Sequence, residues 1–328
     1  MHVSRERRPS HSHEQSTHAL IFVVLVALIL LLLMALAPRS AGAHVRARVI
    51  ASFEPGGQFP EGLARLHDGR LAVSVTTWGP TTDAPSTGQV WAIDRKGHRT
   101  AMTPILSLGG GLLTGIAVDR HGDVYVGHAT YDATTVPGVF VIANGRASRL
   151  ADLPVGSFPN GLAVRGHDVY VSDSALGVIW RLSRQRPPVV VVRDELLAPS
   201  PNGIGANGIA LHDGVLDVAV SDAGRVVRIP FWHGRSGTPR VLAEDPRMAG
   251  ADGILVGRHG TLYVTSDTND SIVRVGEHGH VRTVARGRDG LLYPTSLVWS
   301  GRGERSPFYV LNGDFLARGT PTLIELWR

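Results

Sequence analysis

The chain has 328 residues, 43% of them hydrophobic and 19% charged, which is enough apolar material for a packed core and too little charge for a disordered chain. Cysteine is absent, so disulfide staples, thiolate metal sites and cysteine nucleophiles are excluded together. The net charge of +5 comes without any block of five or six like charges, which argues against nucleic-acid binding, and 39 glycines argue against a helical bundle.

In chain order, residues 1–18 are polar and carry Arg5, Arg7 and Arg8, and Ala19 to Ala37 is an unbroken apolar run. Pro38 and the small-residue pair Ala41 and Ala43 follow, which suits a cleavage site. The run is longer than a usual signal core and just long enough to span a bilayer. Two readings stand: a cleaved signal peptide, or an uncleaved anchor through residues 19–37. Both put the remainder outside the cytoplasm, because positive charge precedes the span. Residues 1–43 are therefore expected to be a leader or anchor and 44–328 the folded domain. Arg7-Arg8 lacks the following residues that twin-arginine export would require.

Six copies of one phrase follow: a polar residue, a glycine, an alternating strand, a turn rich in His, Asp and Gly, and a second strand. The marker falls at Gly62, Gly115, Gly161, Gly208, Gly253 and, in a degenerate last copy, Ser296, at steps of 43–53 residues. Further short strands complete each copy. Four strands per repeat of this length predict an all-β, six-bladed β-propeller of four-stranded blades. The sixth copy stops after its third strand, and Val45–Phe53 is a spare strand. It is expected to complete the last blade and close the ring, leaving no free edge. His67, His121, His167, His212 and His259 recur in the first-to-second strand turns, a local preference that suggests no metal site.

The innermost strands of a propeller line its channel, so residues at one repeat position share a height around one axis. The residue before the marker is Glu61, Thr114, Asn160, Asn207, Asp252 and Thr295 in turn. An Asn or Asp before Gly is by itself turn chemistry. Four carboxylate or amide side chains in register, two of each, instead suit a hard divalent cation, Ca²⁺ first, with Mg²⁺ or Mn²⁺ open. Zinc would want His or Cys at these positions.

The phrases Pro60-Glu61-Gly62, Pro159-Asn160-Gly161, Ala206-Asn207-Gly208 and Ala251-Asp252-Gly253 resemble the SMP-30/gluconolactonase family and the metal site of the paraoxonases. The resemblance covers the chain after residue 43. It implies a divalent ion in the channel held by Glu61, Asn160, Asn207 and Asp252, hydrolysis of lactones or esters, and a general-base role for Asp252. His128, which ends the second strand of blade two, resembles in position a paraoxonase active-site histidine. The histidine that pairs with it there has no counterpart, Thr114 lying near its place. His128 is expected at the metal-side opening with Asp173 and Asp222, as an alternative proton carrier; the two aspartates read as turn-bonding residues. The loops Thr76–Thr87, His128–Pro137 and Asn312–Thr320, with the stretch Leu196–Ala206, are expected to shape the mouth.

The expectation is thus an exported, monomeric, metal-dependent hydrolase with a small lactone or ester as substrate, no nucleic-acid partner, and membrane contact only through residues 19–37 if these stay attached. A non-catalytic exported propeller that binds a ligand, glycan or protein stays open, as does a strictosidine-synthase-like enzyme without a channel metal. No GxSxG elbow is present, which argues against a serine hydrolase.

Overall fold

Six antiparallel sheets stand around one axis, each built from a consecutive stretch of chain except the last. The computed structural model describes residues 45–79, 84–301 and 303–327; the expected leader, residues 1–43, lies outside them. Blade one runs inner to outer through Gln58–Arg65, Leu71–Thr77 and Ser86–Ile93, with an outer edge split between Arg99–Ala101 and Leu106–Gly109. The inner strands of the next five blades are Gly111–Val118, Pro159–Arg165, Ala206–His212, Ala251–Val256 and Pro294–Trp299.

Blade six takes three strands from the C-terminal end and its outermost, Arg46–Ser52, from the N-terminal end. Arg46 faces Trp327 and Ser52 faces Thr322 in an antiparallel ladder. Arg48 adds an ion pair to Glu325 at 2.7 Å. The predicted closure is therefore borne out, and it satisfies the last blade's outer edge from within the chain.

Apolar residues alternate along these strands and fill the seams between neighbouring blades. Leu113, Ile116, Val124 and Val126 of blade two, for instance, pack with Ala72, Val90 and Ala92 of blade one. The blade six to one seam is as well filled, with Leu311 and Leu323 against Val73 and Ile93. Each such side chain contributes about 1.5–3 kcal/mol by leaving water, so the ring is held by its seams as much as by its ladders.

Two features position what lies in the channel. First, every inner strand is irregular at the same place. The ladder register jumps between Pro60 and Leu63, Leu113 and Ile116, Pro159 and Leu162, Ala206 and Ile209, Ala251 and Ile254, and Pro294 and Ser296. The residues stepped over include the polar residue of each repeat, and a bulge re-aims a side chain. Second, the marker glycines answer a close approach, not a turn. None has positive φ. A Cβ at Gly115, Gly161 or Gly208 would strike the backbone carbonyl of Asn160, Asn207 or Asp252 in the next blade. Only glycine lets the inner strands crowd together this closely.

Candidate active site

Glu61, Asn160, Asn207 and Asp252 leave their ladders at these bulges and are all buried, at 5–8% exposure. They form the waist of the channel: all four line a 390 Å³ cavity on one side and a 300 Å³ cavity on the other. Thr114 and Thr295, which hold the same repeat position, turn their hydroxyls sideways. Thr114 Oγ1 donates to Pro159 O at 2.8 Å and Thr295 Oγ1 to Glu61 O at 2.9 Å. Ser74 Oγ donates to Thr114 O at 2.7 Å, and Ser172 Oγ to Asn207 O. Each of these hydroxyls ties its blade to the next, so the waist is held by hydrogen bonds as well as by packing.

The two amides are oriented by a shared device. Asn160 Nδ2 donates to Ser174 Oγ at 3.2 Å, and Asn207 Nδ2 to Ser221 Oγ at 3.0 Å. Those serines donate onward, Ser174 to Ala206 O and Ser221 to Ala251 O, both at 2.7 Å. The Asn207 amide also donates to the Asp252 carboxylate, so its oxygen is the part of the group left without a partner. Asn207 Oδ1 is buried with no hydrogen-bond partner. Buried polar atoms are nearly always partnered, so an orphaned acceptor here points to a missing positively polarised group.

Blade five departs from this scheme. Its residue at the Ser174 and Ser221 place is Asp267: the three backbone N–H groups donate equivalently, to Phe158 O, Gly205 O and Gly250 O. Sequence reading passed over Asp267, because the repeat phrases set its serine-aspartate pair beside Ser221-Asp222. The first turn of blade five is one residue longer than that of blade four. Ile254 pairs with Val264 where Ile209 pairs with Val218. Counting back from the second strand to the marker residue would have found the offset.

Glu61, Asp252 and Asp267 therefore crowd one end of the channel with Asp222 in the same cavity, and among the described residues no Lys, Arg or His lines that 390 Å³ cavity. Burial first, then the charge of Asp267, pushes Glu61 up to about 8. Asp252 is raised well above the carboxylate range by burial, then by Glu61 and Asp267. Burial lifts Asp267 to about 6 against the hydrogen bond from Tyr293, which opposes the rise. Arg318 lowers Asp267 but is the least of its influences, so burial and mutual repulsion dominate the group.

His128 does not reach this opening, contrary to the expectation. Its ring is 3% exposed and lines neither axial cavity. Nε2 lies 3.1 Å from Leu108 O and Nδ1 3.0 Å from Arg149, with Phe140 against the ring. The side chain points into the blade, across to its neighbour, because strand alternation puts that face inward. Asp173 is a turn-bonding residue as expected, accepting from the backbone N–H groups of Phe158, Ala175 and Leu176 and from Trp180 Nε1. Asp222 lines the cavity and accepts from Ser200 Oγ at 2.7 Å. Of the mouth segments, Tyr131, Ile204 and Phe315 reach the cavity wall, while Trp78 stacks behind Phe59.

Fold and site together define a six-bladed propeller with a buried, oxygen-lined axial centre. No family model and no curated protein matches the chain. Among solved structures it is similar to a gluconolactonase from Xanthomonas campestris (15% identity, TM-score 0.60, covering 87% of this chain and 90% of that one). It is similar to a luciferin-regenerating enzyme (12%, 0.58, 87% and 95%). It is also similar to virginiamycin B lyase from Staphylococcus aureus (15%, 0.53, 81% of each). Gluconolactonase-type propellers are thus among its structural neighbours, as the sequence resemblance implied. At such identities the likeness is one of fold, and a lyase shares it.

Proposed function

We propose that this chain is a hydrolase of lactones or esters that works with a divalent cation, most simply Ca²⁺, at the channel waist. The observation that carries the reading is the orphaned Asn207 Oδ1 among buried carboxylates, in a cavity that no Lys, Arg or His lines among the described residues. Oxygen donors alone suit Ca²⁺ or Mg²⁺. Among the described residues no three His, Asp or Glu are arranged to hold a metal; in this reading the ion is held by Glu61 and Asp252 together with the amide oxygens of Asn160 and Asn207. When bound, such an ion supplies positive charge that offsets the carboxylates and polarises a carbonyl.

The chain's own residues do the rest. Ser174 and Ser221 keep the amide oxygens turned to the axis. Asp252 takes the base role that the family resemblance assigns it, accepting a proton from the attacking water. Asp267, held by the Tyr293 hydroxyl and the Thr268 backbone N–H, is a second acceptor at the same end of the cavity for orienting that water. The cavity in which they act has a volume of about 390 Å³. The Ala19–Ala37 run, outside the described residues, carries the reading that the protein works beyond the cytoplasm.

The test is hydrolysis of a small panel of lactones and aryl esters with and without a chelator, repeated on Asp252→Asn. Activity lost on chelation, restored by Ca²⁺ and lost in a folded Asp252→Asn protein is expected. A folded, cation-loaded protein inert to the whole panel would overturn the catalytic part and leave a binding protein.

A further inference from the structure

The cavity above the waist has a polar floor and an apolar wall, and the division between them restricts what can occupy it. The wall is carried by Phe59, Leu112, Tyr131, Phe158, Ile204 and Phe315. Phe59, Leu112 and Phe158 belong to a small apolar cluster with Ala129 and Trp78 that is separate from the seams between blades. The rings form two arms. Phe59 meets Phe315 edge-on at 5.0 Å, and Phe315 continues to Tyr293 at 6.2 Å; across the mouth Tyr131 leans on Phe158 at 5.2 Å. Tyr131 and Phe315 stay 62% and 44% exposed, so a ligand that covers them gains by removing apolar surface from water.

Four of the wall hydroxyls already donate within the protein, and only that of Tyr131, at the exposed rim, is without such a bond among those described. Thr114 donates to Pro159 O, Ser221 to Ala251 O, Thr268 to Ala249 O and Tyr293 to Asp267. The acceptors are gathered at the floor, so a ligand that carries hydroxyls along its body would leave those beside Phe59, Leu112, Phe158, Ile204 and Phe315 unpartnered, at a cost for each. An anionic ligand would meet four carboxylates, Glu61, Asp222, Asp252 and Asp267, and, among the described residues, no basic side chain lining the cavity.

From this division we infer that the site takes neutral lactones or esters with a single carbonyl head and an apolar alkyl or aryl body, and discriminates against sugar lactones and anionic esters. The inference rests on the hydrolase reading for its chemistry, but the shape of the cavity carries it independently. The head sits at the oxygen floor, and the body lies between the two aromatic arms, with Phe315 and Tyr131 as the residues that set the preference.

Two measurements separate this inference from the hydrolase reading. The first compares kcat/KM for γ-decalactone and glucono-1,5-lactone in the Ca²⁺-loaded protein and in Phe315→Ala and Tyr131→Ala, with melting curves as the folding control. The second follows Trp fluorescence on titration with 2-heptylcyclopentanone, which cannot be hydrolysed, and with myo-inositol. We expect the alkyl lactone to be favoured about a hundredfold, and each alanine variant to cut that preference and the ketone affinity about tenfold. If the ketone binds and Phe315→Ala weakens it while no lactone is turned over, the apolar preference stands and the hydrolase reading falls. Preference for the sugar lactone, or ketone binding no tighter than inositol, overturns the inference whichever way the hydrolase question is decided.

Discussion

Asn207 Nδ2 donates to Ser221 Oγ at 3.0 Å, and with the bond from the same amide to the Asp252 carboxylate this fixes the orientation of the group. Ser221 is itself held by its bond to Ala251 O in blade five, so the amide is oriented by two blades at once. Removing the hydroxyl frees the amide to turn its N–H groups inward. Ser221→Ala is expected to weaken Ca²⁺ binding by about 10–100-fold, the usual loss when a ligand's supporting partner is removed. Calorimetric titration checks this; unchanged affinity would mean that Asn207 is not a ligand.

A cation at the waist changes the sign of a second substitution. Glu61 is buried with Asp252 and Asp267 in a cavity that no Lys, Arg or His lines among the described residues. Uncompensated buried carboxylates destabilise the fold. Glu61→Gln is therefore expected to stabilise the chelator-treated protein by about 1–3 kcal/mol and to abolish the rise in Tm that Ca²⁺ gives the wild type. Thermal melts with chelator and with Ca²⁺ read both effects, and a variant that still gains stability from Ca²⁺ contradicts the ligand assignment.

The close approach of inner strands can be tested without any ligand. A methyl group at Gly208 would meet the Asp252 carbonyl, which belongs to backbone and cannot swing away. Gly208→Ala is expected to cost about 3 kcal/mol or more by denaturant unfolding. Gly276→Ala is the control: its Cβ would find nothing nearer than 3.7 Å, and a change within about 0.5 kcal/mol is expected.

His128 gives a pH signature. Burial, then the charge of Arg149, holds its pKa below the ordinary value of 6.5, against the pull of Leu108 O. The unfolded chain therefore binds the proton more readily than the folded one. Stability from this group is full above about pH 6.5 and is lost as pH falls through the lower, folded value. His128→Gln should lower stability at neutral pH yet flatten its decline below pH 6.5. Urea midpoints of the two proteins from pH 7.5 to 5 measure the difference, and parallel curves would show that His128 is not the group responsible.

Much of this protein was legible in its sequence because the information is local and repeated. Alternating apolar residues and turns at near-constant spacing specify blades, a copy short of one strand specifies closure by Val45–Phe53, and one polar residue per inner strand specifies the composition of the waist. Each follows from the period of a strand or the symmetry of a ring, which no other part of the chain can alter. Tertiary structure decided what depends on register and on neighbours. One extra residue in a turn moved Asp267 into the place of a serine. Strand alternation turned His128 away from the opening toward Leu108 and Arg149. The crowding of adjacent inner strands, not turn geometry, demanded the marker glycines. A single residue of offset reverses the face of a strand or exchanges one side chain for its neighbour, and that offset is settled only when the blades pack against each other.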